Sequence, residues 1–502
     1  MKMTQAHMYA RFLASDSSWD GRFFAGVMTT GIYCLPSCKA RKPKPGNVRF
    51  FPDCISARAA GLRPCLKCHP DDFARGADPV LESIETLVGE IRAAPGRFPD
   101  ARAIVKRSGF GTTRVFELFR QHYQTTPADL LLKARLDAAK ASLVGGKGSL
   151  AAIAGEAGFE SLSVFHEHFR LRNGLTPSAY RNLGTATAFT LALPPGYPLP
   201  HLRRALGRDP HSVTERLAGD VYRTAVDLDG RPALLEFRLS SDAVAASLET
   251  LGEPDDSAPP PGAARRPPLL AVHDYAVGLL GLGQDAAPFA RLARRLGLGR
   301  LVAGRPELRL SQVPSVFDGL LWAIIGQQIN FPFACTLKRR LMERTGRPLG
   351  DGFFAPPSPA AVARLEPDDL RPLQYSRQKA EYLVTTARLV ARGDLDLGAL
   401  PGMSATRAER TLLAVRGLGP WSVNYLMMRA LGFPDCIPLG DTGVTSGLQT
   451  LFRLEERPDT DATRRLMAVF SPYRSLATAH LWQIGRPAPP AEAPSLAEAT
   501  SL

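Results

Sequence analysis

The chain has 502 residues, enough for about three or four domains, each with its own core. Lys and Arg number 62 against 48 Asp and Glu, a formal charge of +14 that favours a polyanionic partner without identifying one. No apolar run reaches the length of a membrane span, the N-terminus lacks a signal-peptide core, and seven cysteines in so long a chain do not make a disulfide scaffold. A cytoplasmic protein without a membrane partner is expected.

Residues 1–78 hold five of the cysteines, four of them spaced as Cys34-x3-Cys38 and Cys65-x2-Cys68. Two such pairs are the donor set of one tetrahedral Zn2+ in a reducing compartment, and the metal also supplies folding energy to a module with few large apolar residues. Spacing alone favours a purely structural zinc. The surrounding words TTGIYC, PSC, NVRFF and RPC-x2-C resemble the Ada-type domain that removes methyl groups from DNA phosphotriesters. That resemblance implies that all four cysteines bind zinc and that the first, Cys34, also accepts the methyl group. It implies too that Thr30 and Arg41 hold the DNA backbone, with Lys39, Lys42 and Lys44 extending a basic strip. A zinc-held thiolate is a nucleophile at neutral pH, and transfer to sulfur is not easily reversed, so such a domain acts once. Leu35 stands where the family usually has arginine, which removes a charge beside the acceptor. Cys54 lies outside both pairs and is expected in the small core.

Residues 79–183 read as helical and repetitive. Phe119-Arg120 precedes Thr126-Pro127, and Phe169-Arg170 precedes Thr176-Pro177; a Gly-Phe turn stands upstream of each, at Gly109-Phe110 and Gly158-Phe159. The second copy, SLAAIAGEAGFESLSVFHEHFRLRNGLTPSAYR, resembles the AraC-type double helix-turn-helix. That implies recognition helices near Thr112–Tyr123 and Ser161–Leu171, each suited to the major groove of double-stranded DNA. The competing reading is a helical bundle that merely links two enzymes.

Residues 188–250 alternate apolar and polar at strand spacing, as in Val221–Val226 and Ala233–Phe237. The run FTLALPPGYPLPHLRRALG resembles the small antiparallel N-terminal domain of AlkA-type glycosylases. A linker follows at Glu253–Pro268, too rich in proline and charge to pack, and closes the domain drawn at 188–268.

Residues 269–487 read as all-helical and centre on RGLGPWSVNYLMMRALGFPDCIPLGD, from Arg416 to Asp441. Leu412, Leu413 and Val415 form an apolar stripe before the turn; Val423, Leu426, Met427 and Ala430 form one after it. Gly417 and Gly419 can take positive φ and leave backbone N–H groups uncovered, and Pro420 suits the first turn of the next helix, a phosphate-binding arrangement. A GxGP run alone says little, but here Asp441 follows after one helix and a short loop. The pairing resembles the helix-hairpin-helix, Gly/Pro-rich loop and aspartate signature of base-excision DNA glycosylases. With the weaker stretch included, the resemblance runs from 188 to 487.

That resemblance implies a pocket of Trp421, Tyr425 and Trp482 for a flipped alkylated base, with Asp441 as the anion facing the developing sugar cation. Taken singly, each aromatic reads as ordinary core, and Asp441 as the N-cap of Thr442–Phe452. Gln328 stands where AlkA-type proteins place an apolar wedge. Trp421 stands where bifunctional relatives place a Schiff-base lysine, so no lyase step is expected. Backbone carbonyls of the Arg416–Pro420 hairpin are expected to hold a monovalent cation, as in relatives. Cys335 and Cys436 show no metal-ligand spacing, no iron–sulfur cysteine run or PCHR-type motif occurs, and 488–502 is expected to be a disordered tail.

The expected fold is multidomain and mainly α: a small zinc-bound α/β module, a helical double helix-turn-helix, a small antiparallel α+β domain and an all-helical glycosylase domain. The expected function is alkylation repair by a fused protein, monofunctional in base removal and acting on double-stranded DNA as a monomer. The rival is a methyl-sensing transcriptional activator, with RNA polymerase as partner and the glycosylase half auxiliary or vestigial. A zinc-stapled DNA-binding protein without chemistry is the third reading.

Overall fold

The computed structural model describes residues 4–16, 19–76, 78–146, 148–253 and 266–484. Most of the linker at 253–268 and all of the tail at 488–502 lie outside them. The chain forms two compact units, 1–87 and 88–502. Among the described residues no helix is long and apolar enough to cross a membrane.

The first unit starts with α1 (Gln5–Leu13), capped by Thr4. A four-stranded sheet follows: β1 (Phe24–Val27), β2 (Ile32–Cys34), β3 (Val48–Phe51) and β4 (Arg63–Pro64), in the order β3-β1-β2-β4. Gly31 turns the β1–β2 hairpin at φ +65°, which pairs Ala25 with Cys34. After α2 (Cys54–Ala59), β4 joins β2 in parallel, with Tyr33 opposite Pro64. Cys34 therefore ends one strand while Cys65 follows directly on its neighbour, so the sheet register itself brings the two cysteine pairs together. The short α3 (Pro70–Ala74) ends the module.

The helix α4 (Pro79–Ala93) spans the division at 87/88. Next come α5 (Ala101–Ser108), α6 (Thr112–Tyr123), α7 (Pro127–Val144), α8 (Leu150–Glu156), α9 (Leu162–Asn173) and α10 (Pro177–Asn182). The repeated Thr-Pro is a helix start: Thr126 and Thr176 cap α7 and α10, and the prolines take the first helical position. The first expected recognition helix coincides with α6; the second is α9, with Ser161 as its cap and two more residues at its end.

The strands expected at 188–250 form one antiparallel sheet, β5 (Ala188–Ala192), β6 (Glu215–Ala218), β7 (Val221–Leu228), β8 (Arg231–Leu239) and β9 (Ala243–Leu251), ordered β5-β9-β8-β7-β6, with α11 (Leu199–Leu206) after β5. One apolar core runs from Leu136 in α7 through this sheet to α12 (Pro268–Leu280) and Leu282. The divisions drawn at 183/188 and 268/269 are thus not packing boundaries. Rings of Phe169, Tyr180, His273 and Phe189 join the helices to the sheet, with successive centroids 5.4, 5.1 and 5.7 Å apart.

The remaining helices are α13 (Ala287–Arg295), α14 (Val316–Ile325), α15 (Phe331–Thr345), α16 (Pro359–Ala363), α17 (Arg377–Ala391), α18 (Ala405–Leu413), α19 (Pro420–Arg429), α20 (Thr442–Phe452), α21 (Thr460–Ala468) and α22 (Arg474–Leu481). This region is not all-helical. A hairpin of β10 (Arg347–Gly350) and β11 (Phe353–Ala355) follows α15, turning through left-handed Gly350, Asp351 and Gly352. It forms because Phe353 finds an apolar seat on Ala225 and Leu234 of the large sheet. Leu412 and Val415 are buried as expected, whereas Leu413 is 43% exposed and leaves the stripe.

Candidate active site and metal centre

The sulfurs of Cys34, Cys38, Cys65 and Cys68 lie within 4.8 Å of one another. Hydrogen bonding to the Cys38 and Cys68 sulfurs, with burial behind it, pushes the Cys34 thiol up, while the Cys34 contact pushes Cys38 down. Four sulfurs at this spacing fit a dication, and together they form the ligand set of one Zn2+ site. The Leu35 N–H donates to Cys68 Sγ and the Lys67 N–H to Cys65 Sγ, both at 3.4 Å. Asp20 accepts from the Ser37 N–H at 2.9 Å and the Ser37 hydroxyl at 2.6 Å, and so fixes the loop between Cys34 and Cys38.

Thr30 lies exposed in the β1–β2 turn, and Lys39, Arg41 and Lys44 are exposed as well. Lys42 leaves the expected strip: its ammonium donates to the Cys38 carbonyl and sits 4.0 Å over the Phe12 ring, a cation–π seat. Leu35 is 5% exposed and packs with Phe24, Tyr33 and Leu62, so its side chain fills the core and is not a missing surface contact. Cys54 is a core thiol as expected, pushed up to about 11 by burial.

In the second unit α18 and α19 are joined by a tight hairpin. Gly417 has φ +96°, and a Cβ there would lie 2.4 Å from the Tyr382 ring, so both its conformation and its neighbour demand glycine. Gly419 caps α19 and Pro420 opens it. The carbonyl of Gly417 accepts from Gln327 Nε2 at 2.8 Å and that of Gly419 from the Val423 N–H at 3.0 Å.

Asp441 is reached by a short loop after α19 and caps α20, its Oδ1 accepting the Val444 N–H at 2.9 Å. Two indoles converge on the same carboxylate: Trp482 Nε1 donates to Oδ1 at 2.9 Å and Trp421 Nε1 to Oδ2 at 3.3 Å. Trp421 stacks on Tyr425 with centroids 5.4 Å apart and planes at 22°, and Tyr425 faces Trp482 at 6.5 Å. Cap and aromatic neighbours are therefore held by one side chain.

Residues 7–71 match the family described as the metal binding domain of Ada, 104–183 a helix-turn-helix domain, and 321–472 the HhH-GPD superfamily of base excision DNA repair proteins. Over 234 residues the chain is 32% identical to a DNA-3-methyladenine glycosylase of Bacillus subtilis, covering 46% of this chain and 76% of that one. The chain belongs to the DNA-3-methyladenine glycosylase family. A Mycobacterium tuberculosis protein named "Probable bifunctional transcriptional activator/DNA repair enzyme AlkA" is 28% identical over 506 residues, 94% of this chain and 95% of its own length. A 3-methyladenine DNA-glycosylase from Archaeoglobus fulgidus shares the fold, with a TM-score of 0.50 at 23% identity over 59% of this chain and 98% of that one.

Two residues beside the hairpin and Asp441 escaped the sequence. Gln327, beside the expected wedge Gln328, donates to both the Gly417 carbonyl and Ser422 Oγ (3.1 Å), and so ties the turn after α14 to the hairpin. The Gln-Gln doublet after Gly326 was the visible signal, but which glutamine turned inward was not. Gln328 itself is exposed with φ +55°, a left-handed residue at the tip between α14 and α15. Gly443 is the other: a Cβ there would lie 2.7 Å from Trp482 Cδ1 and 3.1 Å from Asp441 Oδ1. Nothing in the sequence marks that glycine, since the tryptophan it accommodates is 39 residues later.

Proposed function

We propose that the protein excises alkylated bases of the 3-methyladenine type from double-stranded DNA as a monofunctional glycosylase, and takes methyl groups from DNA phosphotriesters onto Cys34. The observation that carries the first part is the Asp441 carboxylate held by two indoles and a helix N–H beside a stacked aromatic pair. A base alkylated at N3 or N7 is cationic and leaves with the glycosidic electron pair once flipped from the stack. Trp421, Tyr425 and Trp482 select that cation, each good contact contributing ~0.5–2 kcal/mol. Asp441 stabilises the oxocarbenium-like sugar until water adds. Its Oδ2, with the longer bond, is the oxygen better placed to do so.

Gln328 is read as the residue that fills the gap left by the flipped nucleotide, which its exposed, left-handed position supports. The N–H groups at Gly417 and Gly419 are read as phosphate contacts, and the hairpin as a monovalent-cation site. Trp421 supplies no amine, so base release proceeds without strand cleavage.

In the N-terminal module a zinc ion held by Cys34, Cys38, Cys65 and Cys68 would keep these sulfurs deprotonated at neutral pH. The Cys34 sulfur attacks the methyl carbon in line; an S–C bond forms, the C–O bond breaks, and a phosphodiester anion leaves. Thr30 and Arg41, both exposed, are read as its backbone contacts.

A regulatory role accompanies repair on a specific observation: α6 exposes Thr112, Thr113, Arg114, Glu117 and Gln121, while Val115, Leu118 and Phe119 are buried behind them. A helix so divided can lie in a groove. On this reading the protein is a cytoplasmic monomer that engages RNA polymerase at a promoter. Incubating the full chain with methylated duplex DNA, and assaying released base by chromatography and protein-bound methyl by mass, tests both activities. Release of 3-methyladenine with one methyl per chain is expected, with no borohydride-trapped protein–DNA adduct; absence of base release overturns the glycosylase reading, and a trapped adduct its monofunctional part.

A further inference from the structure

The segment from Phe433 to Asp441 delivers the carboxylate and is held from several sides. Asp435, 7% exposed, accepts from Arg474 at 2.6 and 2.8 Å and from the Ser471 hydroxyl at 2.8 Å. The Cys436 N–H donates to Ser475 Oγ at 3.1 Å and the Ile437 N–H to Asn424 Oδ1 at 3.2 Å. Beyond them the Leu439 N–H returns to the Ile437 carbonyl and the Asp441 N–H to the Pro438 carbonyl, at 2.8 and 3.0 Å. A displacement at Asp435 therefore reaches Asp441 through a short, internally bonded run.

One anchor of this segment comes from the helix-turn-helix region. Gln124, left-handed at φ +54°, closes α6, and its Oε1 accepts the Asp435 N–H at 2.8 Å. The Cys436 thiol donates to the same oxygen at 3.7 Å, and burial keeps that thiol protonated, pushed up to about 12. The end of α6 is seated for this contact: His122 Nδ1 meets Thr406 Oγ1 at 2.9 Å, and the Arg92 guanidinium of α4, 5.7 Å from the Tyr123 ring centroid, donates to the Gly402 carbonyl beside α18. The exposed face of α6 is a different one, so docking leaves its groove-reading side chains free.

We propose that Gln124 is a positioning residue for base excision, acting through the Asp435 N–H on the segment that sets Asp441. The inference rests on the reading of Asp441 as the anion of the glycosylase site. It makes the first helix-turn-helix a structural part of the excision site, beyond any promoter binding. Without the amide oxygen a buried N–H and a buried thiol both lose their acceptor, and the segment relaxes at the point where Asp441 must match a developing charge.

The test uses the full chain, with single-turnover base release from methylated duplex at excess protein, affinity for the same duplex, and the indole N–H resonances of Trp421 and Trp482. Gln124→Met keeps length and removes the acceptor; release should slow about tenfold, the rate equivalent of one buried hydrogen bond, with affinity retained and both indole signals shifted. Gln124→Glu keeps an oxygen for the same N–H and should recover most of the rate. Wild-type release by Gln124→Met overturns the proposal. So does equal slowing of the Met and Glu variants, or slowing with unmoved indole signals and a lowered melting temperature. A wild-type chain that releases no base overturns the glycosylase reading, and this inference with it.

Discussion

The indole N–H of Trp482 donates to Asp441 Oδ1 at 2.9 Å, the same oxygen that takes the Val444 N–H at the start of α20. One oxygen thus joins a helix cap to an aromatic wall, while Oδ2 takes the 3.3 Å bond from Trp421. The carboxylate is oriented before any substrate arrives, which is what electrostatic stabilisation of a transient cation requires.

Asp441→Asn separates the two roles. An asparagine oxygen can still accept the Val444 N–H, so the cap and the fold should persist. The full negative charge is gone, and base release should fall by about 10²–10³, the usual loss for one preorganised electrostatic group. Single-turnover release measured beside duplex affinity checks this; release at the wild-type rate would reduce Asp441 to a cap.

Gly443→Ala should act on the same carboxylate by steric means. The new Cβ would stand 2.7 Å from Trp482 Cδ1 and 3.2 Å from its Nε1, forcing the indole away from Asp441. Alanine is the better helix former by about 1 kcal/mol, so thermal stability should not suffer in proportion. Slower release of 3-methyladenine with a melting temperature near wild type is the expected pair of results. Equal loss of both would point to a general packing defect.

Methylation of Cys34 should tighten DNA binding. Four thiolates around Zn2+ carry a formal charge of −2, and converting one to a thioether leaves −1. Lys39, Arg41 and Lys44, all exposed, then act with less opposition at a phosphate backbone. A tenfold gain needs only about 1.4 kcal/mol, well within the reach of one unit charge at close range. Cys34 is 4% exposed whereas Cys68 is the most accessible of the four, so mapping the methyl by mass decides between them. Affinity before and after, at fixed salt, tests the switch separately.

His480 should make the glycosylase unit sensitive to mild acid. It is buried in α22, its Nδ1 bonded to the Leu301 carbonyl at 3.1 Å, and burial, then the Arg305 charge, hold its pKa down to about 3. The unfolded chain takes up that proton near 6.5, so the stabilisation is present above that value and is lost as pH falls towards 3. Between pH 7.5 and 5.0 the loss should approach about 2 kcal/mol. Urea unfolding at both pH values should show a smaller difference for His480→Gln than for the wild type.

What the sequence by itself determined was local chemistry. The Thr-Pro phrases mark helix starts because a threonine cap and an N1 proline act within a few residues. Gly417 of the hairpin, the cap at Asp441 and the two cysteine pairs are legible for the same reason, whereas Gly419 caps α19 at φ −98° and does not use the positive φ open to it. Tertiary structure alone decided where long-range partners fall. Gln327 finds Gly417 across 90 residues and Gln124 finds Asp435 across 311, and no periodicity specifies such pairings. Lys42 folded back over Phe12 although its neighbours Arg41 and Lys44 stayed outside, since a flexible charged stem goes wherever a ring and a carbonyl await it. The helix-turn-helix and the sheet read as separate domains because each has its own pattern, but their apolar faces are buried against each other, and burial, which is non-directional, drew one core from Leu136 to Leu282.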